Sequence, residues 1–232
     1  GLPKINTADE AYAGLVYAMK KLLAIKEEKS KITAFDYSSL NGDSAKLAIF
    51  IDRILRENFE GEALTLVIAG LYELYMDSIT DNYLVEVHPV NQSGASSKEV
   101  SDLDVYKDEE LFIANELKDK PFTEHDIRHA ADKVIAAGKS QMHFIVGRHG
   151  GCNNDEIHRC ISEYLSKGFV INVVPVDFFV PTLLGLIGGD VDIDYFMKFV
   201  LETAVETKFK EETIAFIGRI ADEQFKDKTR RD

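Results

Sequence analysis

The sequence predicts an α/β protein: a mixed β-sheet with helices on both faces, preceded by a helical segment. Three observations predict it. Apolar residues recur at helical spacing through roughly the first 80 residues, alternate in strand fashion from Tyr83, and from Pro121 fall into helical and strand-like stretches that take turns.

Between Ala8 and Lys29 the apolar residues Ala11, Tyr12, Leu15, Met19, Leu22, Leu23 and Ile25 keep helical spacing. Asn41-Gly42-Asp43-Ser44 reads as a turn and N-cap for a second helix, Ala45 to Asn58, and Glu60-Gly61-Glu62 opens a third that runs to about Ile79. Tyr83 to Val90 alternates as a strand and is followed by a polar loop, Asn91 to Glu99. Leu103 to Tyr106 and Leu111 to Leu117 are short apolar runs joined as a tight antiparallel hairpin. Pro121 and Thr123 open a helix to about Gly138, with Glu124 and Asp126 favourably placed in its first turn. Met142 to Val146 reads as a strand, Asn153 to Lys167 as a helix stopped by Gly168, and Phe169 to Val176 as another strand. Amphipathic helices over Asp192 to Lys208 and Glu211 to Phe225 complete the order. The expected division is a helical segment over residues 1–60 and a sheet-bearing core with C-terminal helices over 61–232.

Of the 232 residues, 45% are hydrophobic and 29% charged, which suits a buried core. The apolar runs Val170 to Val176 and Phe178 to Ile187 are interrupted by Pro175, Asp177 and Pro181, so no membrane span is expected. The opening Gly-Leu-Pro-Lys carries no basic-then-apolar pattern, so no secretory signal is expected, and its leading glycine reads as a trimmed start. Two cysteines, Cys152 and Cys160, match neither a zinc pair nor a disulfide framework, and a reducing, cytoplasmic setting fits them. A net charge of -13 argues against a protein that coats nucleic acid nonspecifically; a local basic cleft is still compatible with it.

Chemistry concentrates on the hairpin. Glu116 and Lys118 are two apart on a strand and share a face, with Leu117 opposite. Asp102 and Asp104 likewise share a face of the neighbouring strand. With a three-residue loop, Asp108 to Glu110, Lys107 pairs with Leu111, which puts Asp102 opposite Glu116 and Asp104 opposite Ala114. A two-residue loop at Asp108-Glu109 turns Glu116 to the other face, so the reading requires an odd loop or a bulge. An isolated Glu-x-Lys is common on solvated strands, and an edge hairpin with surface charges is the bland alternative. Against it, Leu103, Val105, Ile113 and Leu117 alternate with Tyr106, Phe112 and Ala114, too apolar on both faces for a wet edge. Charges at the ends of buried strands are expensive unless paired or bound to metal. One aspartate, Glu116 and the backbone carbonyl of Leu117 make a set that magnesium accepts, with positions left for phosphate. A lysine on the same face can orient or deprotonate an attacking water, or stabilise developing charge.

Ser101-Asp102-Leu103-Asp104-Val105 followed by Ala114-Asn115-Glu116-Leu117-Lys118 resembles the signature of the PD-(D/E)xK nuclease superfamily. The element order from about Glu62 to Asp177 is similar to that superfamily's core. The stretch His88-Pro89-Val90-Asn91-Gln92, the Ser-rich loop, the hairpin and Lys118-Asp119-Lys120-Pro121-Phe122 together look like type II restriction endonucleases of the SacI-like branch. The resemblance implies a restriction-endonuclease-like mixed sheet flanked by helices and a magnesium-dependent endonuclease acting on double-stranded DNA. It also implies acidic metal ligands and a lysine at the water. A homodimer is expected, because two strands need two centres. Ser101 replaces the proline of the nominal motif. Asp102 and Asp104 compete for one role: the first matches the Pro-Asp position and pairs better with Glu116, and the second matches relatives whose motif reads acid-x-Asp-apolar. The superfamily's additional helix glutamate is Glu62 or Glu73 on this resemblance, and either also reads as a helix-surface charge.

Other signals have ordinary readings beside functional ones. Val146-Gly147-Arg148-His149-Gly150-Gly151 lies between strand and helix but lacks dinucleotide-binding and P-loop spacing, so it reads as a turn in which Arg148 or His149 can touch a DNA backbone. His125, His129 and Lys133 share one helix face, either solvated or turned to phosphate. Asn91, Gln92, Ser96 and Ser97 can reach bases or phosphates, as any polar loop can. Alternatives to a restriction enzyme are a repair or junction-resolving nuclease, and a non-catalytic nucleotide-binding α/β domain using the loop at Gly147 to Gly151.

Overall fold

A computed structural model describes residues 41–89 and 99–226. The helix expected over Ala8 to Lys29 and the loop candidates Asn91, Gln92, Ser96 and Ser97 lie outside these residues. The chain runs β1 (Asn41–Asp43), α1 (Ser44–Ile54), a 3₁₀ turn (Phe59–Gly61), α2 (Glu62–Asp77), β2 (Tyr83–Val87), β3 (Leu103–Lys107) and β4 (Glu110–Lys118). It continues through α3 (Glu124–Ala136), β5 (Gln141–Val146), α4 (Asn154–Ser166), β6 (Val170–Pro175), α5 (Val176–Ile187), β7 (Asp190–Asp192), α6 (Ile193–Glu206) and α7 (Glu211–Ala221).

A five-stranded sheet in the order β2-β3-β4-β5-β6 forms the centre. β2, β3 and β4 are an antiparallel meander, and β4, β5 and β6 run parallel, because each of the two later connections returns through a helix. Side chains alternate along β4, so Ala114 faces one way and Asn115 the other. The Ala114 face packs with Met142 and Phe144 against Ile127, Ala130 and Val134 of α3 and Ile157, Cys160 and Tyr164 of α4. On the opposite face Asn115 meets Tyr72 of α2, whose ring stacks near Phe179 of α5. The sheet is mixed and flanked by helices, as expected.

The sequence accounts for most boundaries. In α1, Leu47, Phe50, Ile51 and Ile54 form one buried stripe at helical spacing. This helix stops four residues short of the expected Asn58, because Glu60 (φ 53) and Gly61 (φ 90) turn the chain before α2 begins. Every residue of α2 except Tyr75 and Asp77 is buried, in keeping with a helix that is apolar nearly all round. Asp126 accepts the backbone N–H of Thr123 at 2.9 Å and closes the start of α3, and the Asn153 side chain accepts the N–H of Asp155 at 3.1 Å to start α4. Gly168, at φ 83, ends that helix region.

Two elements differ from expectation. Phe178 to Ile187, read as an interrupted apolar run, belongs to α5, with Pro181 inside the helix and Pro175 at its N-cap. Asn41 to Asp43, read as a turn, is a strand paired with β7. Because α1 lies in the same compact unit as the sheet, its aromatic Phe50 stacks on Phe225 at the far end of the described chain. Among the described residues no helix is long and apolar enough to cross a membrane.

The hairpin turn is the two-residue form, with Asp108 at φ 52 and Glu109 at φ 66 and Lys107 facing Glu110. Asn82 holds it, donating from Nδ2 to Asp108 Oδ1 at 2.9 Å and accepting Asp108 N–H at 3.1 Å. A left-handed backbone costs a non-glycine residue about 1–2 kcal/mol, and glycine recovers this less the extra freedom it has when unfolded. Glu109→Gly is therefore expected to stabilise the protein by about 0.5–1 kcal/mol, read as a raised midpoint in urea. An unchanged or lowered midpoint contradicts it.

Candidate active site

The two-residue turn alone sends Glu116 to the wrong face. A bulge corrects it. Tyr106 pairs with Leu111 but Val105 pairs with Ile113, so Phe112 is the extra residue. Beyond the bulge Asp104 faces Ala114 and Leu103 faces Asn115. One further step puts Asp102 across from Glu116, the alignment expected from the sequence, reached by a different loop.

Asp102 lies just before β3 and accepts the backbone N–H of Leu117 at 2.9 Å. Lys118 Nζ is 2.8 Å from Glu116 Oε1, with both side chains largely buried. Burial pushes the Glu116 carboxyl up to about 7, helped by the negative charge of Asp102, and the cations of Lys118 and Lys133 offset this only in part. Lys118 moves the other way from the direction burial alone gives: Glu116, Asp102 and Asp126 outweigh desolvation and raise it, so it stays protonated. The two carboxylates thus share one place with too little positive charge between them.

In metal-free buffer the raised carboxyl has a thermodynamic consequence. Between about pH 4.5 and 7 folded Glu116 retains a proton that the unfolded chain releases, so its contribution to stability falls as pH rises through that window. Urea midpoints of Glu116→Gln should fall less over this range than those of the unsubstituted protein. Parallel curves contradict the assignment.

Asp104 sits apart from this arrangement. It is fully buried and accepts from Ser101 Oγ at 2.6 Å, His88 Nε2 at 3.0 Å and Val100 N at 3.1 Å. Asp102, by contrast, lines a cleft of about 350 Å³ together with Asn58, Thr65, Leu117, Lys118 and Lys120. Glu62 and Glu73 are buried rather than surface charges, and each has an internal partner. Glu62 accepts the N–H of Lys210 and the hydroxyl of Thr213 at the start of α7, and Glu73 accepts the hydroxyls of Tyr83 and Tyr195.

Arg148 is engaged by acidic partners at the surface. It donates to Asp177 at 2.8 Å and to the Asp52 carboxylate and carbonyl at 2.8 and 3.0 Å, tying the loop to α1 and α5. His149 is fastened to Asp119 by its backbone N–H at 3.0 Å and its ring Nδ1 at 3.1 Å. Two glycines of this loop serve packing: a Cβ on Gly147 would meet Asp119 Oδ1 at 2.1 Å and one on Gly150 would meet Val146 Cγ1 at 2.5 Å. On α3, His129 is exposed and Lys133 is partly buried, close enough to act on Glu116 through its charge. Asn58 and Thr65 carry no site signal in the sequence, and Asp119 and Lys120 enter there only within the stretch that resembles restriction endonucleases, without a role of their own. Asp119 and Lys120 directly follow Glu116-Leu117-Lys118 and were open to that inference; Asn58 reaches the cleft by donating to Asp119 O at 2.7 Å, a long-range contact without a local signature.

Among the described residues no three His, Cys, Asp or Glu side chains cluster to hold a metal. Asp102 at the cleft and the buried Glu116 close enough to feel its charge, driven toward its neutral form, nevertheless fit a hard divalent cation that completes its shell with backbone oxygen and water. Residues 39–148 match the family model of the SacI restriction endonuclease C-terminal domain. The matched stretch covers a little under half of the chain and contains Asp102, Glu116 and Lys118. No curated protein matches the chain.

Proposed function

From the restriction-endonuclease-like relationship carried by residues 39–148, within the general PD-(D/E)xK superfamily, we propose that this protein is a metal-dependent endonuclease that hydrolyses phosphodiester bonds of double-stranded DNA. A type II restriction enzyme that works as a homodimer in the cytoplasm is the reading we favour. The observation that carries it is that Asp102 and Lys118 line one cleft while Glu116 pairs with Lys118 and feels the charge of Asp102, an alignment reached through the bulge at Phe112.

Asp102, Glu116 and the Leu117 carbonyl are the groups to hold Mg²⁺ here. When bound, the ion lowers the pKa of water and offsets charge on the reacting phosphate. Lys118, kept charged by Glu116 and Asp102, orients the attacking water and stabilises the negative charge that develops. Asn58 and Thr65 also line the cleft. Lys120 and Lys133 add positive charge beside it, which lets a chain of net charge -13 accept a polyanion locally. His129 and His149 flank this region as further candidates for phosphate contact, whereas Arg148 must leave Asp52 and Asp177 to take that role.

Incubation with plasmid DNA and Mg²⁺ tests the proposal. A discrete fragment ladder supports a restriction enzyme and structure-selective nicking supports a repair or junction-resolving nuclease. No cleavage with any divalent metal overturns the nuclease reading in favour of a non-catalytic binding domain. Lys133→Ala should weaken DNA binding in calcium and reduce its salt dependence by roughly one charge. An unchanged salt slope removes Lys133 from the DNA surface.

A further inference from the structure

The alignment of β3 with β4 is pinned next to the two carboxylates by a side chain rather than by the strands alone. Leu103 and Asn115 are the last aligned pair. There the backbone N–H of Asn115 donates to Ser101 Oγ at 2.9 Å, and that hydroxyl has two acceptors within reach, Asp104 Oδ1 at 2.6 Å and Leu103 O at 3.0 Å. A hydroxyl has one proton, and the nearer Asp104 carboxyl is the stronger claimant. Ser101, Asp104 and Asn115 are all buried, so each of these bonds forms in a setting where an unpaired group is costly.

Asn115 is held on two further sides. Its Nδ2 donates to Leu103 O at 3.1 Å and its Oδ1 accepts the Tyr72 hydroxyl at 2.8 Å. Ser101 is one residue before Asp102, and Asn115 is one residue before Glu116. The Asp102 carbonyl is fixed by the N–H of His88 at 3.0 Å, and its carboxylate by the N–H of Leu117. The hydroxyl therefore sits at the point where the relative placement of the two carboxylates is decided.

We propose that Ser101 is a positioning residue, whose hydroxyl locks Asn115 to Asp104 and thereby sets the separation of Asp102 and Glu116. The inference rests on the metal-dependent reading of the site. It assigns a physical role to the position where this chain departs from the proline of the signature: proline has no hydroxyl to bridge Asn115 and Asp104.

The test compares Ser101→Ala, Ser101→Cys and Ser101→Thr with the unsubstituted protein, each well below its own melting temperature. Isothermal titration with Mg²⁺ reads the site without cleavage, and single-turnover cleavage at saturating Mg²⁺ reads the chemistry. Ser101→Ala should weaken Mg²⁺ binding and slow cleavage by about 10²-fold, the scale expected of a misplacement of about an ångström. DNA affinity in saturating calcium should be retained. Ser101→Cys keeps the volume but makes weak hydrogen bonds, so it carries the same expectation if the alanine variant does not fold. Ser101→Thr keeps the hydroxyl and should recover most of the loss. Normal Mg²⁺ binding and cleavage in Ser101→Ala, or in Ser101→Cys where that variant stands in for it, overturn the proposal, as does a threonine variant no better than alanine. Failure of the unsubstituted protein to cut DNA overturns the nuclease reading instead, and the titration then still decides the role of Ser101. A protein that binds no divalent metal overturns both.

Discussion

Alanine in place of Lys118 lowers the rate of DNA cleavage by about 10²- to 10⁴-fold, or about 3 to 5 kcal/mol of barrier, the range for charge stabilisation or proton transfer by one positioned group. Its ammonium lies 2.8 Å from Glu116 and lines the cleft with Asp102. Neither the fold nor DNA affinity in calcium should suffer much. Ala114, Met142 and Phe144 form the hydrophobic cluster under α3 without Lys118, so its truncation leaves that cluster intact. Single-turnover rates in Mg²⁺ alongside binding in Ca²⁺ separate the two effects. A Lys118→Ala protein that cuts at nearly the normal rate removes the lysine from the chemistry.

The second large effect separates the two aspartates. Asp104→Ala is expected to destabilise the protein by about 3 kcal/mol, because it leaves the Ser101 hydroxyl, the His88 ring and the Val100 N–H without their buried acceptor. For a chain of this size that lowers Tm by roughly 6–12 °C. Asp102→Ala should leave Tm much closer to normal in metal-free buffer and abolish cleavage. Among the described residues its carboxylate makes one backbone hydrogen bond, and its charge works against the ionisation of Glu116. Thermal melts of both variants decide the matter. Equal losses of stability, or cleavage that survives Asp102→Ala, contradict the division of roles.

How far these roles are legible in the sequence depends on the range of the interactions involved. The spacing of Glu116 and Lys118 reports a shared strand face directly, and the strands and helices around them follow from periodicity and caps such as Thr123 with Asp126 and Asn153 with Asp155. The facing of Asp102 and Glu116 is expected from the register, but through a three-residue loop. The protein uses Asp108 and Glu109 as a tighter turn and regains the register at Phe112, since loop length and bulge trade against each other and only their sum decides which face is presented. Choosing between Asp102 and Asp104 needs the partners of Asp104, which come from His88 and Ser101 and become evident only once the strands are folded. The same limit applies to Glu62, Glu73 and Arg148, whose partners lie far away in the chain. In α5, Pro175 and Pro181 resemble strand and loop punctuation, whereas one stands at the N-cap and the other is tolerated within the helix.

The central claim is that Asp102 and Glu116 jointly hold a divalent cation beside Lys118. Isothermal titration of Mg²⁺ into the unsubstituted protein, Asp102→Ala and Glu116→Ala tests it most directly. The expected result is Mg²⁺ binding that either substitution largely removes. Unchanged Mg²⁺ binding in Glu116→Ala contradicts the account and moves the metal site elsewhere in the protein.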